Sequence, residues 1–206
     1  MLEESMNDLN EAKNAIHKAW SIIKTECLSV LGSELHYQAM IYNLLRTEGN
    51  VPLQQLGMNV KMWIDNPVSE LFQELDKRKH IDYQGGFEPI PDVVIFKPSI
   101  NGDWRRRNNH ETLTNMLIAI EVKASEREKS RLQPSEIMLD IQKLAAHREE
   151  VLARASDVFP LMLVIDSAPM KEERMTTGAL EKSHELALKL GVGFLYISSE
   201  NEIYSI

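Results

Sequence analysis

The chain predicts an α/β fold, and three observations carry that expectation. Leu117-Ile118-Ala119-Ile120-Glu121-Val122-Lys123-Ala124 is a run of small and branched apolar residues broken by two opposite charges. Its apolar part suits a buried central strand. Ile90-Pro91-Asp92-Val93-Val94-Ile95-Phe96 is a second branched apolar strand, with a carboxylate at its entrance. Longer segments with helical spacing separate these runs from later ones, as strands joined through helices require. At 206 residues the chain suits one domain, 1–206, with a sizeable core and an N-terminal helix in residues 1–30 as an extension.

The elements follow in order. Leu9, Ala12, Ile16, Ala19, Trp20 and Ile23 recur at helical spacing and predict a core-packing helix from about Glu3 to Cys27. Gly32 ends that pattern and Ser33 can cap a second helix, Glu34 to Arg46, which Gly49-Asn50 closes. Asn59 to Asp65 alternates and predicts the first strand; Asn66-Pro67 stops it, and Pro67 fits the first position of a helix. Lys77-Arg78-Lys79-His80 is a basic run where cations favour the helix dipole, and Gln84-Gly85-Gly86 is a turn. Between the strand of Asp92 and that of Glu121, Ser99 to Thr114 predicts a long hairpin connection with Trp104-Arg105-Arg106-Arg107 at its tip. Ala124 to Arg131 is polar and expected to be mobile. Pro134 opens a long helix to about Ala155, with Ile137, Ile141, Leu144, Ala145, Arg148 and Leu152 on one face. Phe159 to Ile165 is a buried strand, Lys171 to Leu190 a helix that Gly178 can split, and Gly191 its cap. Val192 to Ser198 is the last core strand, and Ile203 to Ile206 an added edge strand.

Composition narrows the function classes. The net charge is -8, so the whole surface does not advertise nucleic acid, although an acidic chain can keep a local basic face. One cysteine, Cys27, excludes an internal disulfide and a cysteine-rich zinc site and suits a reducing compartment. The acidic, polar start is not a signal peptide, and no apolar run approaches a membrane span, so a cytoplasmic location without membrane contact is expected. There is no Gly-rich phosphate loop and no Gly-x-Ser-x-Gly elbow. The six histidines show no paired ligand spacing and are expected mostly at the surface; the ten methionines read as core filler.

The chemistry gathers at the two strands. Side chains alternate along a strand, so Glu121 and Lys123 share one face while Val122 points to the other. Pro91-Asp92 on one strand and Glu121-Val122-Lys123 on the next resemble the signature of the PD-(D/E)XK nuclease superfamily. The resemblance spans Ser33 to about Ile197. It implies a restriction-endonuclease-like αβββαβ core: a central mixed sheet flanked by helices, here with an extra N-terminal helix. It implies Mg²⁺ as cofactor, with Mn²⁺ able to substitute. Asp92 and Glu121 would be ligands, the Val122 carbonyl a third, and Glu34 an outer or second-metal ligand. Lys123 would orient or help deprotonate the attacking water. Glu34 also has the ordinary reading of a first-turn dipole partner.

Asp140 and Lys143, one helical turn apart, share a face. They fit the helix that supports the site, or equally a surface ion pair. Arg105, Arg106 and Arg107 beside Trp104 can grip phosphates and stack on a base, or form a solvated loop. The expected activity is metal-dependent phosphodiester hydrolysis, endo- or exonucleolytic, with DNA as substrate and RNA open, in restriction, defence or repair. A homodimer or a partner subunit is compatible with it. The alternative is a nuclease-fold module that binds nucleic acid or a protein without turnover. The complete Asp-Glu-Lys set favours the enzyme, because a retired site tends to lose a member.

Overall fold

Asp8 starts the first helix: its carboxylate accepts the amide hydrogens of Asn10 and Glu11, and α1 runs Leu9–Ser29. Ser33 repeats the device for α2, Glu34–Thr47, with its hydroxyl accepting from the His36 amide. The computed structural model describes residues 5–126, 128 and 130–206. Within them the chain continues as β1 (Leu56–Met58), β2 (Ile64–Asp65), α3 (Glu70–Lys77), β3 (Gly86–Phe87), β4 (Val93–Phe96), α4 (Asn109–Thr114) and β5 (Met116–Ala124). It ends with α5 (Pro134–Leu152), β6 (Phe159–Asp166), α6 (Thr177–Leu190), β7 (Gly193–Ser198) and β8 (Glu202–Ser205).

Six strands form a mixed sheet in the order β1-β4-β5-β6-β7-β8. The β1/β4, β4/β5 and β7/β8 pairs are antiparallel, while β5/β6 and β6/β7 are parallel. The α/β fold with a mixed central sheet is therefore present. Leaving aside the insertion β2–α3–β3 and the short α4, α2 leads into β1, β4 and β5, and then into α5 and β6.

Burial on both faces explains the near-continuous apolar strands. Ile118, Ile120 and Val122 join Leu161, Leu163 and Leu195 under Ile16, Ile23 and Ile41 of α1 and α2. Ala119 lies in the opposite core with Val94, Phe96 and Ala146 of α5. Met162, Val164 and Phe194 pack with Ile141 of α5 and Ala187 of α6. Each fully buried branched side chain contributes about 1.5–3 kcal/mol. Because the faces alternate, Glu121 and Lys123 fall on the α5 side and Val122 on the α1–α2 side.

Several boundaries differ from the sequence expectation. The alternation from Asn59 to Asp65 is real in burial, since Val60, Met62 and Ile64 are all inside. It is not a strand of the main sheet. Asn59 takes a left-handed backbone (φ 50°), and its amide and that of Val60 bond the carbonyls of Asp92 and Pro91 instead of running a ladder. Only Ile64–Asp65 pairs, with Gly86–Phe87, in a separate two-stranded ribbon, so Gly86 is strand rather than turn. The edge strand of the main sheet is Leu56–Met58, where a Cβ on Gly57 would lie 2.6 Å from Val60 Cγ2. Pro67 does not start a helix; α3 begins at Glu70, after Ser69, whose hydroxyl makes no capping bond. The strand of Asp92 begins at Val93, and Asp92 joins the ladder only through its amide to the Ile120 carbonyl, 3.0 Å.

The connection to β5 holds α4 and is not a plain hairpin. One face of the half-buried Trp104 ring is taken up by Phe96, centroids 5.3 Å apart and planes 6° from parallel. On α5, Leu152 is exposed, whereas Asp140, His147 and Glu150 are buried. His147 thus departs from the surface expectation, and burial pulls its pKa down to about 4. Gly178 sits in the first turn of α6 and splits nothing, because the helix starts only at Thr177. Gly191 closes α6 in a left-handed conformation, φ 66°, as expected. The edge strand β8 is also present. Among the described residues no helix is long and apolar enough to cross a membrane.

Candidate active site

Where β4 begins and β5 ends, four acids and two lysines meet. Asp92 enters from the loop before β4, and its carboxylate accepts the Val122 amide hydrogen at 2.7 Å. Its backbone is held twice more, by the Asn59 amide on its carbonyl and by its own amide on Ile120. In an extended strand a residue's N–H and C=O point to the same side. Val122 therefore turns its carbonyl toward the Asp92 edge as well.

Lys123 is the centre of the group. Its ammonium lies 3.2 Å from Glu34, 3.4 Å from Asp140 and 3.6 Å from Glu121. Glu34 comes from the first turn of α2, and its amide hydrogen is accepted by Glu126 at 2.8 Å. Asp140 comes from α5 and also pairs with Lys143 at 2.9 Å. That pair is not a surface ion pair, because Asp140 is only 6% exposed. Lys143 is a second cation at the cluster, so Lys123 is not its only basic partner. Glu34, Asp92, Glu121, Lys123, Asp140 and Lys143 are thus brought together.

Arg105, Arg106 and Arg107 are not among the residues around this cluster. Arg105 makes a two-pronged bond to Asp103, which holds that carboxyl down at about 2, and Arg106 pairs with Glu88 at 2.9 Å. Arg107 has no ion pair among the described residues.

The two lysines do not offset the cost of burying these acids together. Burial pushes the Asp92 carboxyl up to about 6, against the Val122 hydrogen bond and the Lys123 charge. Burial, then repulsion from Asp92 and Asp140, pushes Glu121 up to about 8. Burial also raises Glu34, against Lys123. For Lys123 itself burial disfavours the charge, but the carboxylates of Asp140, Glu121 and Glu34 outweigh it and hold the ammonium above the ordinary lysine value.

The cluster opens into a cavity of about 410 Å³. Glu34, Glu121, Lys123 and Asp140 form one wall. Ser125, Glu126, Ser130, Arg131 and Gln133 form another. The sequence alone suggests no more than a polar, mobile stretch for this second wall; Arg127 and Lys129 of that stretch lie outside the described residues. Its one signal is its position directly after Lys123. Glu121, Asp140 and Lys143 also border a second hollow of about 210 Å³, walled by Phe87, Pro89, Ile90 and Leu144.

Tyr37 carries no signal in the sequence, yet it braces the site. Its hydroxyl contacts the Val30 carbonyl and Ser167 Oγ, each at 2.9 Å, and accepts the Gly32 amide hydrogen at 3.2 Å. It ties the start of α2, and so Glu34, to the end of β6. Tyr37→Phe keeps the ring and orphans these groups, so urea unfolding is expected to show a loss of about 1–2 kcal/mol. An unchanged midpoint would mean that water replaces the hydroxyl fully.

Every acidic oxygen here is a hard ligand of the kind Mg²⁺, Mn²⁺ and Ca²⁺ take. Among the described residues, no three His, Cys, Asp or Glu side chains are gathered tightly enough to grip an ion as they stand. The Lys123 ammonium lies between the carboxylates instead. The donor types fit a divalent cation, while the spacing is that of a cluster neutralised by lysine. No family model, no curated protein and no solved structure matches this chain.

Proposed function

We propose that this protein is a divalent-metal-dependent nuclease of the PD-(D/E)XK type that hydrolyses phosphodiester bonds, in DNA first. One observation carries the reading: half-buried Glu34 and Glu121 and buried Asp140, from α2, β5 and α5, converge on Lys123, with buried Asp92 beside them at the entrance to β4. The antiparallel β1–β4–β5 unit followed by α5 and parallel β6 is the order such a core requires.

Asp92, Glu121 and the Val122 carbonyl would hold Mg²⁺ or Mn²⁺, with Glu34 as an outer or second ligand. A bound divalent ion supplies an acidified water and positive charge against the phosphate oxygens. Lys123, as an ammonium, donates hydrogen bonds: it orients a water or neutralises an oxygen that gains charge. Asp140 and Lys143 position Lys123, the first by direct contact and the second by sharing the Asp140 carboxylate.

The test is cleavage of supercoiled plasmid, single-stranded DNA and RNA in Mg²⁺ or Mn²⁺, with a chelator as control. Metal-dependent cleavage of any of them supports the reading. Intact substrate in both metals, with folded protein, ends it.

The arginines at the α4 connection enter as a graded expectation. Two are already paired with acids, which leaves Arg107 as the ready phosphate contact. Replacing Arg105, Arg106 and Arg107 with alanine is expected to lower the slope of log affinity against log salt by about one, the effect of leaving a single phosphate without its cation. A drop near three would mean that DNA displaces Asp103 and Glu88.

A further inference from the structure

A third cavity, of about 250 Å³, lies at the same end of the sheet as the acidic one. Both lie past the C-terminal ends of parallel strands, where open α/β sheets bind ligands. Arg131 lines both cavities. The first is walled by acids; the third carries Arg131, Lys171 and Arg174 against a single carboxylate, Glu200. In a chain of net charge -8, three cations around one hollow need a counter-charge.

The hollow is built, not a chance of surface side chains. Asp166, fully buried at the end of β6, accepts the Met175 amide hydrogen at 2.8 Å and the Tyr196 hydroxyl at 2.7 Å. This pins the turn bearing Lys171 and Arg174 to the strand ends. Arg174 is fixed by Ser199 at 2.6 Å and Glu200 at 3.2 Å, while its Nε is buried without a partner. Arg131 uses its Nε on the Glu172 carbonyl, 3.1 Å. Lys171 is exposed and has no ion pair among the described residues. Thr176 and Thr177 complete the wall at the start of α6, whose positive end also faces an anion favourably.

We propose that this cavity is a phosphate subsite for the nucleic-acid strand, holding a backbone phosphate on one side of the bond presented to Asp92, Glu121 and Lys123. The proposal rests on the nuclease reading. It solves a problem that reading creates: the reacting site is lined by acids, which repel a polyanion until cations beside them hold it. Arg131, as the shared wall, joins the two cavities. The strand then runs along the C-terminal edge of the sheet, from the end of β5 past β6 to β7.

Lys171→Ala combined with Arg131→Ala removes two cations that carry little of the fold. Binding of a short fluorescein-labelled single strand is read by anisotropy, in chelator, across a salt series. The double variant is expected to bind at least tenfold more weakly at low salt, with a slope flatter by roughly 0.7 for each phosphate the protein no longer neutralises. Lys171→Glu, a single exposed charge reversal, is expected to weaken binding in the same direction and answers the question if the double variant unfolds.

Equal affinity and slope in wild type and variants overturns the subsite. If wild type still cleaves in Mg²⁺, the nuclease reading stands without it. A wild type that neither binds the strand nor cleaves ends both. Inorganic phosphate is the second arm. If it raises the melting temperature of wild type but not of the variants, while strand affinity is the same in all, the hollow is a small-anion site and the proposal falls.

Discussion

Asp92→Asn is expected to abolish metal-dependent cleavage and to leave the metal-free protein at least as stable as wild type at pH 8. The Asn oxygen can keep the Val122 amide bond that Asp92 makes at 2.7 Å. What it removes is a buried charge. The Asp92 carboxyl is raised from 3.8 to about 6, chiefly by burial. A raised carboxyl means that the folded state holds an extra proton between those values, so stability falls as pH rises through that window. Above it the full penalty applies, about 3 kcal/mol for two units of pKa. Glu121, raised from 4.5 to about 8, adds a second, overlapping loss that is complete only above pH 8.

Relieving the Asp92 charge should therefore gain about 1–3 kcal/mol at pH 8 and nothing near pH 3. Urea unfolding in chelator at both pH values reads this. A loss of about 3–5 kcal/mol instead would mark Asp92 as half of a structural ion pair. Together with no cleavage by wild type, that loss would leave the binding module as the surviving alternative. The geometry argues against it, since Lys123 has its contacts within 4 Å with Glu34, Glu121 and Asp140.

Lys123→Met carries the other large effect. It removes the one ammonium that three carboxylates share and keeps much of the apolar stem. At pH 8 the carboxylates would face each other with only Lys143 beside Asp140. Breaking such a partly buried set by taking one partner is expected to cost about 3–5 kcal/mol. The sign with pH follows from the shifts. Lys123 is held above its ordinary value, and Asp92, Glu121 and Glu34 are raised, so lowering the pH protonates the acids and removes the need for the ammonium. The cost should shrink as pH falls from about 8 through about 6, where Glu121 and then Asp92 take up protons. Mg²⁺ should then raise the melting temperature of the variant more than that of wild type, because the ion takes the vacated charge-neutralising role. A cost identical at pH 4 and 8 would mean that the variant differs in packing alone. Indifference to Mg²⁺ would mean that the acids do not serve a cation.

The main acidic pair was legible in the sequence because its signal is local. A short run rich in β-branched residues favours a strand, strand parity places Glu121 and Lys123 together, and a Pro-Asp entrance to the preceding run puts a third charged residue at a strand end. Ser33 announced the cap that puts Glu34 at a helix start, and the spacing of Asp140 and Lys143 announced their pairing. The sheet's edge was not legible. Val60, Met62 and Ile64 alternate as a strand does, but the left-handed Asn59 and the carbonyls of Pro91 and Asp92 took their hydrogen bonds elsewhere.

The inward face of α5 was hidden for the same kind of reason. Glu150 can be buried because it accepts the Ser69 amide hydrogen and pairs with Arg154, partners that no window along the helix contains in full. Nor could sequence spacing bring Arg131, Lys171 and Arg174 to one hollow. Separate turns gather there only because β5, β6 and β7 end on the same edge. The sequence by itself determined the long helices, the core strands and the shared strand face of Glu121 and Lys123, since periodicity and capping act within a few residues. Tertiary structure alone decided which charges meet, because an ion pair such as Lys123–Glu34 depends on chain segments 89 residues apart and on how much water the fold leaves between them.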